Sequence, residues 1–332
     1  RLVRPIHNLS LYSIVSVTYI DAIREAQETL LREDPRVFLY GQDISNFGGA
    51  FKATKGLAEA FPNRVFDSPI SEDAMIGLAV GAAIEGLRPI IEMQFADFVT
   101  CGFNQIINNL AKIHWRWGQQ ADVVVRMPTG AGTAAGPFHS QSNEAWFTHT
   151  PGLKVVYPSN PFDAKGLLNA SIEDPNPVLF FEHKALYRST KGMVPSAYYQ
   201  LEIGKAAVAS EGMLASVITY GSGVHWAMEL KEQHGLDVEI IDLRTLLPLD
   251  TDCIYQSVRK TGKALILHED SLFGGIGGEI SALINEHCFE SLDAPVRRVG
   301  SLDTPVPFAV ALEEQFLPKK RFEETLLELI AY

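Results

Sequence analysis

The sequence predicts an α/β fold of two domains, in which strands of a mainly parallel sheet alternate with helices. The first observation is periodicity: short apolar runs alternate along the chain with segments of helical spacing, which is typical of repeated βα units. The second is length, since 332 residues correspond to roughly two domains of about 150 residues each. The third is composition, because 46% hydrophobic and 20% charged residues are the proportions of an ordinary globular protein.

The first domain is predicted to span residues 17–182, after an N-terminal extension of residues 1–16. Its first helix lies within 17–34, because Thr18 and Asp21 have the spacing of a capping box and Pro35 follows the end. The same two periodicities predict the elements that follow, which are strands at 36–40, 64–67, 88–93, 122–127, 154–158 and 178–182, a short helix near Leu57, a helix at 71–84, and a helical face formed by Phe103, Ile106, Ile107, Leu110 and Ile113.

Residues 183–203 show neither strong periodicity nor a continuous apolar run, so we interpret them as a linker. The second, smaller α/β domain is then predicted to span residues 204–332. Its strands are expected within LASVITYGSG, VEIIDL, KALILHED and APVRRVG, and its last helix around FEETLLELI.

Charge and composition exclude several classes of function. A formal net charge of -12 opposes binding to a phosphate backbone, so we expect no nucleic-acid partner. No apolar run reaches the roughly 20 residues that span a bilayer, and the first residues lack a signal-peptide core, so no membrane partner is expected. The 3 cysteines show no CxxC spacing, which favours neither a zinc site nor a disulfide framework. A reducing compartment fits best.

The predicted helix at 71–84 combines acidic and small residues. Ser71 is a candidate N-cap, and Glu72 and Asp73 lie in the first turn, where negative charge complements the helix dipole. Gly77 and Gly81 need another explanation, because glycine inside a helix costs about 1 kcal/mol relative to alanine. They predict a flat face for close packing in a soluble interface. Glu72 then has two interpretations, either a helix-capping acid or a buried carboxylate that shares a proton.

A glycine-rich loop is predicted directly after the strand at 122–127. Its spacing is GxGxxxG and not GxGxxG, and His139 interrupts the expected helix, so a dinucleotide site is disfavoured. No P-loop motif and no GxSxG nucleophile elbow occur in the sequence. A histidine in a loop is more often structural than catalytic. The polar run HSQS beside three glycines nevertheless predicts a mobile segment that is able to contact a ligand.

Together these motifs resemble one family across nearly the whole chain. The sequence is similar to the beta subunit, or to the beta half of a fused chain, of thiamine-diphosphate-dependent 2-oxo acid dehydrogenases, the decarboxylating component of the pyruvate and branched-chain complexes. The segments that carry the resemblance occur in order: SPISEDAMIGLAVGAAIEGLRPI, EMQFADF, HSQSNEAWFTHTPGLKVVYPSNPFDAKGLL, IEDPNPVLFFE, IDLRTLLPLD, and KTGKALILHED followed by GGIGGEI. A fold of two domains follows, a pyrimidine-binding parallel-sheet domain and a transketolase C-terminal-like domain.

The resemblance assigns expected roles to four residues. Glu72 would hydrogen-bond the pyrimidine ring of thiamine diphosphate and favour the tautomer that deprotonates the thiazolium carbon. His139, in the HSQ motif, would act on the reaction intermediate and in the lipoyl reaction, which suits a side chain that titrates near neutrality. Phe98 aligns with an aromatic position near the pyrimidine, where branched-chain relatives often carry Tyr. Gln94, in the same QFADF segment, is expected to contact the cofactor.

The segment SIEDPNP resembles a structural potassium loop. The alternative is an ordinary helix end, broken by Pro175 and Pro177. On the first interpretation, hard oxygen ligands for K⁺ would come from the side chains of Ser171, Asp174 and Asn176 and from the carbonyl groups of Ala121, Val123 and Val124.

Nothing in the sequence matches the GDG motif with which family members hold magnesium and diphosphate. The resemblance therefore implies an alpha subunit that supplies Mg²⁺ and the diphosphate contacts, in a heterotetramer with a second beta subunit. The glycine cluster at 274–278 is expected to serve in subunit contacts and in docking of a lipoyl-bearing acyltransferase core. Relatives occur in the bacterial cytoplasm and in the mitochondrial matrix.

The activity implied is oxidative decarboxylation of a 2-oxo acid, followed by reductive acylation of a lipoyl group. QFADF and FFEHKALYR favour a branched-chain 2-oxo acid, and a pyruvate dehydrogenase beta subunit is the first alternative. Half of a split transketolase is the second, since it shares both domains and the glutamate. A non-catalytic alternative, such as a flavodoxin-like binding module, would leave Glu72 as a capping acid only.

Overall fold

A computed structural model describes residues 13–332. In that range the strands are β1 (Ile14–Thr18), β2 (Val37–Gly41), β3 (Val65–Asp67), β4 (Arg88–Glu92), β5 (Val124–Thr129), β6 (Lys154–Val156), β7 (Val178–His183), β8 (Lys191–Pro195), β9 (Ala207–Ser210), β10 (Ser216–Thr219), β11 (Glu239–Asp242), β12 (Thr245–Leu247), β13 (Ala264–Ser271) and β14 (Arg297–Ser301). The α-helices are α1 (Tyr19–Glu33), α2 (Leu57–Ala60), α3 (Glu72–Ile84), α4 (Ile113–Trp117), α5 (Ala145–Thr148), α6 (Pro161–Glu173), α7 (Leu186–Ser189), α8 (Ser222–His234), α9 (Thr251–Thr261), α10 (Gly277–Cys288), α11 (Val310–Phe316) and α12 (Lys319–Ala331).

Two mainly parallel sheets organise the chain. The larger has the strand order β12-β6-β7-β5-β4-β2-β3, and its strands are parallel except for β12, which runs antiparallel to β6. The smaller has the order β14-β13-β10-β11-β9, with β9 antiparallel to β11. The predicted α/β fold is thereby confirmed.

The predicted extension and linker contain regular structure. Within the expected extension, β1 begins at Ile14 and pairs antiparallel with β8, which lies in the expected linker together with α7. The first twelve residues of that extension lie outside the described residues. The second domain also contributes β12 to the edge of the first domain's sheet. These contacts tie both predicted connecting segments to the domains.

The first helix forms for the local reasons seen in the sequence. Thr18 is its N-cap and its hydroxyl accepts a hydrogen bond from the backbone N–H of Asp21 at 3.3 Å, which satisfies one of the free amides of the first turn. The predicted apolar face, formed by Ile20, Ile23 and Leu30, is buried. This helix packs against α6 beside the larger sheet.

The helical face predicted between residues 103 and 113 is not one continuous α-helix. A 3₁₀ segment (Ala96–Gly102) and a π-helical segment (Gln105–Leu110) precede the short α4. The chain passes close to α3 at Gly102, where a Cβ atom would lie 3.1 Å from the carbonyl oxygen of Glu72. The change of helix type keeps Ile106, Leu110 and Ile113 buried while the chain makes this close approach.

Apolar packing joins the two sheets. Side chains from both faces of the larger sheet are buried, and one cluster continues from Ile91 and Val125 in the first domain to Ile218 and Ile266 in the second. Burying such a side chain contributes roughly 1.5–3 kcal/mol, so the shared core fixes how the domains meet. Within residues 13–332, the helices are too short or too polar to span a bilayer.

Candidate functional site

The carboxyl ends of neighbouring parallel strands form the candidate site. The strands β2, β4, β5 and β7 lie side by side in the larger sheet, and the polar residues that follow them meet at one edge, where ligands of open α/β sheets bind. Gln42 follows β2, Gln94 follows β4, and Lys184 follows β7. The loop after β5 carries His139, and α3 starts with Glu72 soon after β3.

Glu72 is buried at this edge. It is the first residue of α3, its side chain is largely covered, with the residue 7% exposed, and its Oε1 accepts a hydrogen bond from Nε2 of Gln42 at 3.0 Å. Among the described residues no protein hydrogen bond reaches Oε2. Ser71 occupies the predicted N-cap position, which is confirmed, but its side chain makes no capping hydrogen bond.

Aromatic rings surround His139, which lies in the loop after β5 at the same edge of the sheet. The ring centroid of His139 lies 4.7 Å from that of Phe95 and 5.5 Å from that of Phe98, both edge to face. The two phenylalanine rings are 5.7 Å apart. All three side chains are half-buried. Such edge-to-face contacts hold the rings in place and leave an aromatic wall suited to a flat ligand.

The glycine-rich loop is packed against two side chains. Gly130 has φ +91°, and a Cβ atom there would lie 2.2 Å from Nε2 of His183. Gly136 has φ +73°, and its Cβ would lie 2.2 Å from the ring of Phe308. Both the positive φ and the close contacts require glycine. The expectation of a mobile segment is therefore not supported by the contacts of this loop.

Two carboxylates of the second domain bind the same loop. Glu269, on β13, accepts a hydrogen bond from the N–H of Ala131 at 2.6 Å. Glu313, on α11, accepts one from the N–H of Gly132 at 3.0 Å and one from that of Ala134 at 3.0 Å. Both acids are buried. The loop is consequently joined to the second domain through its backbone amides.

His183 connects the end of β7 to Glu269. Its Nδ1 accepts a hydrogen bond from the N–H of Ala185 at 3.3 Å, so its Nε2 carries the proton and donates to Glu269 Oε2 at 2.6 Å. Burial opposes ionisation of Glu269, but His183 and the loop amide outweigh it and hold the pKa of this carboxyl below its usual value. The carboxylate is thus ionised at neutral pH.

Lys184 is a buried cation beneath the loop. Its ammonium donates a hydrogen bond to the carbonyl oxygen of Gly130 and lies 5.8 Å from the ring centroid of Phe95. Burial lowers the pKa of Lys184 to about 8, although Asp97, Glu269 and Glu313 favour its charged form. Its positive charge offsets part of the negative charge that the second domain brings to the loop.

An ion cluster underlies the site. Arg126 is fully buried on β5 and donates to both carboxylate oxygens of Glu182, at 2.7 and 2.8 Å, and to Glu92 on β4. The hydroxyl of Tyr187 also donates to Glu182 at 2.7 Å. Burial raises the pKa of Glu92 more than Arg126 lowers it. The cluster joins three neighbouring strands directly below the residues of the site.

The family described as transketolase, pyrimidine binding domain, matches residues 15–190, and transketolase, C-terminal domain, matches residues 204–321. The 2-oxoisovalerate dehydrogenase subunit beta of Bacillus subtilis (strain 168) is 48% identical over 308 residues, 91% of this chain and 94% of that protein. The chain belongs to the beta-subunit family of the 2-oxo acid dehydrogenases.

Other members of this family are also similar. The 2-oxoisovalerate dehydrogenase subunit beta of Pseudomonas aeruginosa is 44% identical over 316 residues, which cover 90% of each chain. The pyruvate dehydrogenase E1 component subunit beta of Staphylococcus aureus (strain Mu50 / ATCC 700699) is 42% identical over 313 residues, 92% of this chain and 96% of that protein. The resemblance expected from the ordered motifs is therefore confirmed.

A solved structure shows the same fold. The chain described as a split gene transketolase, inactive beta4 tetramer, has a TM-score of 0.76 and 24% sequence identity, over 95% of this chain and 98% of that one. At this identity the likeness concerns the fold alone. The two family matches, over residues 15–190 and 204–321, confirm the expected pairing of a pyrimidine-binding domain with a transketolase C-terminal domain.

The four predicted site residues lie at the same edge of the larger sheet, but several other polar residues of this edge were missed. Glu72, Gln94, Phe98 and His139 all lie on the carboxyl edge of the larger sheet or on its loops; their roles stay predictions. Gln42 and Lys184 each follow a strand directly, and this pattern could have identified them. No local pattern marks the two acids of the second domain, Glu269 and Glu313. The missed residues are Gln42, His183, Lys184, Glu269 and Glu313.

The residues predicted to bind potassium lie at the other end of the sheet, where Val124 pairs with Val178. Ser171 Oγ donates to the carbonyl of Leu167 at 2.7 Å. The carboxylate of Asp174 accepts from Lys154 Nζ and from the side chain of Asn176. Lys154 supplies positive charge where the ion would bind, so these side chains do not fit a potassium shell. The carbonyl groups of Ala121, Val123 and Val124 remain as predicted ligands.

A cluster of three or more His, Cys, Asp and Glu side chains able to bind a metal ion is also absent from residues 13–332.

Proposed function

We propose that the chain is the beta subunit of a branched-chain 2-oxo acid dehydrogenase, which decarboxylates the 2-oxo acid oxidatively and acylates a lipoyl group. One observation carries the proposal: a buried glutamate, Glu72, is held by Gln42 at the carboxyl edge of a parallel sheet. The names of the similar proteins, 2-oxoisovalerate dehydrogenase subunit beta, support a branched-chain substrate.

The residues present fit the pyrimidine half of thiamine diphosphate. Gln42 bonds only Oε1 of Glu72, so Oε2 is available to a ring nitrogen. The rings of Phe95 and Phe98 suit a flat heterocycle, and Gln94 adds a polar side chain beside them. When bound, thiamine diphosphate accepts the electrons released as carbon dioxide leaves. Glu72 holds the proton at the pyrimidine nitrogen, and the phenylalanine rings exclude water from the reacting groups.

His139 serves the lipoyl reaction. Opening of the lipoyl disulfide requires a proton for the sulfur that leaves, and imidazole is suited to donate it near neutral pH. The rings of Phe95 and Phe98 hold the imidazole edge to face. In this role the substrate is a 2-oxo acid, and the partner is an acyltransferase core that carries the lipoyl group.

The alpha subunit would complete the site from a neighbouring surface. We infer that it supplies Mg²⁺ and the diphosphate contacts, in a heterotetramer with a second beta subunit. The outer face of α3 supports a subunit contact, since Leu78 is 46% and Ile84 is 41% exposed and a Cβ on Gly81 would meet nothing within 4 Å. Gly77 instead leaves room for the side chain of Gln105 in the same chain. The compartment is the bacterial cytoplasm or the mitochondrial matrix.

The test is turnover of the chain purified with its alpha subunit. We expect decarboxylation of 3-methyl-2-oxobutanoate that depends on thiamine diphosphate, with slower turnover of pyruvate and 2-oxoglutarate. Replacing Glu72 with Gln should lower kcat by about 100-fold to 10,000-fold, the usual contribution of a positioned acid or base. Asp73→Asn, which changes the next and exposed acid of the same turn, is the matched control.

Each outcome separates the alternatives. Undiminished turnover by the Glu72→Gln enzyme would refute the role of this carboxylate. Preference for pyruvate would make the chain a pyruvate dehydrogenase beta subunit, in line with its relatives of that name. Activity with ketose phosphates alone would assign it to the transketolases.

A further inference from the structure

We propose that Glu269 and Glu313 are positioning residues, which fix the loop that carries His139 and thereby set the rate of the lipoyl reaction. This inference rests on the proposed function, in which His139 acts on the lipoyl group. We call the contact of these two acids with residues 131–134 the acid clamp. Neither acid belongs to the pyrimidine-binding domain, so the clamp links the second domain to the loop that carries His139.

The backbone of the loop is shaped to bind carboxylates. Four alternate residues, at positions 130, 132, 134 and 136, have positive φ angles between +53° and +91°. Alternating conformations of this kind point successive N–H groups toward one concavity, which binds anions. The clamp fills that concavity, with Glu269 on the N–H of Ala131 and Glu313 on those of Gly132 and Ala134.

Glu313 makes its hydrogen bonds to this loop. It is 4% exposed, and within the described residues all its side-chain hydrogen bonds come from N–H groups of Gly132 and Ala134. A buried carboxylate is costly unless it is hydrogen-bonded. The loop amides are therefore what keeps this carboxylate in place, and the carboxylate in turn holds the loop.

The loop is held on both sides of His139. After the histidine, Gln141 donates its backbone N–H and its side-chain amide to Asp97 Oδ1, at 3.1 and 2.9 Å. Before it, the clamp holds residues 131–134. Among residues 13–332, His139 makes only a backbone hydrogen bond to Gly136, at 3.3 Å, and ring contacts with Phe95 and Phe98. The position of its imidazole is consequently set by the two anchors of the loop together with these ring contacts.

The clamp is tested by Glu313→Gln in the complex of the chain with its alpha subunit. The matched control is Glu314→Gln, which makes the same change at the next residue of α11, on an exposed side chain. A second variant, Gly132→Ala, keeps both carboxylates. Its Cβ would have room, at 3.7 Å from Ala185, but the φ of +85° strains the loop.

Two readouts distinguish positioning from general stability. Hydrogen exchange of the amides at 131–134 should become about tenfold faster in Glu313→Gln, as a bond to a charged group is lost. With a lipoyl domain as acceptor, kcat should fall about 10-fold to 100-fold, as expected for a misplaced catalytic group. With the dye dichlorophenolindophenol as acceptor, kcat and the KM for the 2-oxo acid should stay near those of the unmodified complex.

The outcomes are separable from those of the proposed function. Unchanged exchange at 131–134, or an equal loss with both acceptors, would overturn the clamp even if the complex oxidises 2-oxo acids. An unmodified complex that turns over no 2-oxo acid would refute the proposed function, whereas the exchange data would still decide whether Glu313 holds the loop. Gly132→Ala should reproduce the loss with the lipoyl domain, and Glu314→Gln should show neither effect.

Discussion

The contact between His183 and Glu269 makes a sharp prediction about stability. In Glu269→Gln, the amide oxygen can still accept from Ala131, but the amide NH₂ group then faces the Nε2–H of His183. Two donors cannot bond each other, and the alternative tautomer of His183 would lose its bond from Ala185. A hydrogen bond to a charged group contributes about 1.5–3 kcal/mol net. We expect the free energy of unfolding to fall by about that amount near neutral pH.

The loss of stability caused by Glu269→Gln should depend on pH. The pKa of Glu269 is lower in the folded protein than its usual value, because His183 and the loop amide outweigh burial. Its ionised form therefore stabilises the fold above the unfolded pKa of about 4.3, and that contribution is lost as the pH falls through the folded pKa. The difference between the unmodified and Glu269→Gln proteins should shrink accordingly on acidification.

Urea unfolding of both proteins, at about pH 7 and at several values below about pH 4, measures this difference. Glu279→Gln, an exposed acid on α10, is the control for loss of one negative charge and should change the free energy of unfolding by less than about 0.5 kcal/mol. A difference for Glu269→Gln that is as small as the control, or that stays constant with pH, would refute the assigned hydrogen bonds.

Two further predictions concern stability elsewhere in the chain. Arg126→Met leaves Glu92 and Glu182 buried without their cation, so urea unfolding should show a loss of about 3–5 kcal/mol; a loss below about 1 kcal/mol would contradict the cluster. Gly152→Ala places a Cβ 1.8 Å from the carbonyl oxygen of Ala111 and should abolish soluble expression. The control Gly56→Ala, also at positive φ but with nothing within 4 Å, should lower the free energy of unfolding by only about 1–2 kcal/mol. Equal thermal stability of the two variants would contradict this prediction.

Local signals predicted much of the fold. The capping pair at Thr18 and Asp21, and the apolar face of α1, depend on residues within a few positions of each other, and the structure confirms both. The buried strands were recognised by the same short-range periodicity. The helical face near Phe103 was only partly correct, because its division into 3₁₀, π and α segments follows from the packing of Gly102 against α3.

Long-range contacts account for what was missed. Gln42 could have been noticed as a polar residue directly after a strand, but its partner Glu72 lies on another element. Glu269 and Glu313 are more distant still, and nothing in the residues around them points to the loop that they bind. A hydrogen bond between residues far apart in sequence leaves no periodic pattern.

By itself the sequence determined the α/β class, the order of most elements and, through its ordered motifs, the family and the glutamate expected to act on the cofactor. Only the tertiary structure decided that Gln42 bonds Glu72, that Phe95 and Phe98 flank His139, and that two acids of the second domain hold the loop. The reason is physical: periodicity and capping depend on neighbouring residues, whereas a site depends on how strand ends and loops meet after the chain has packed.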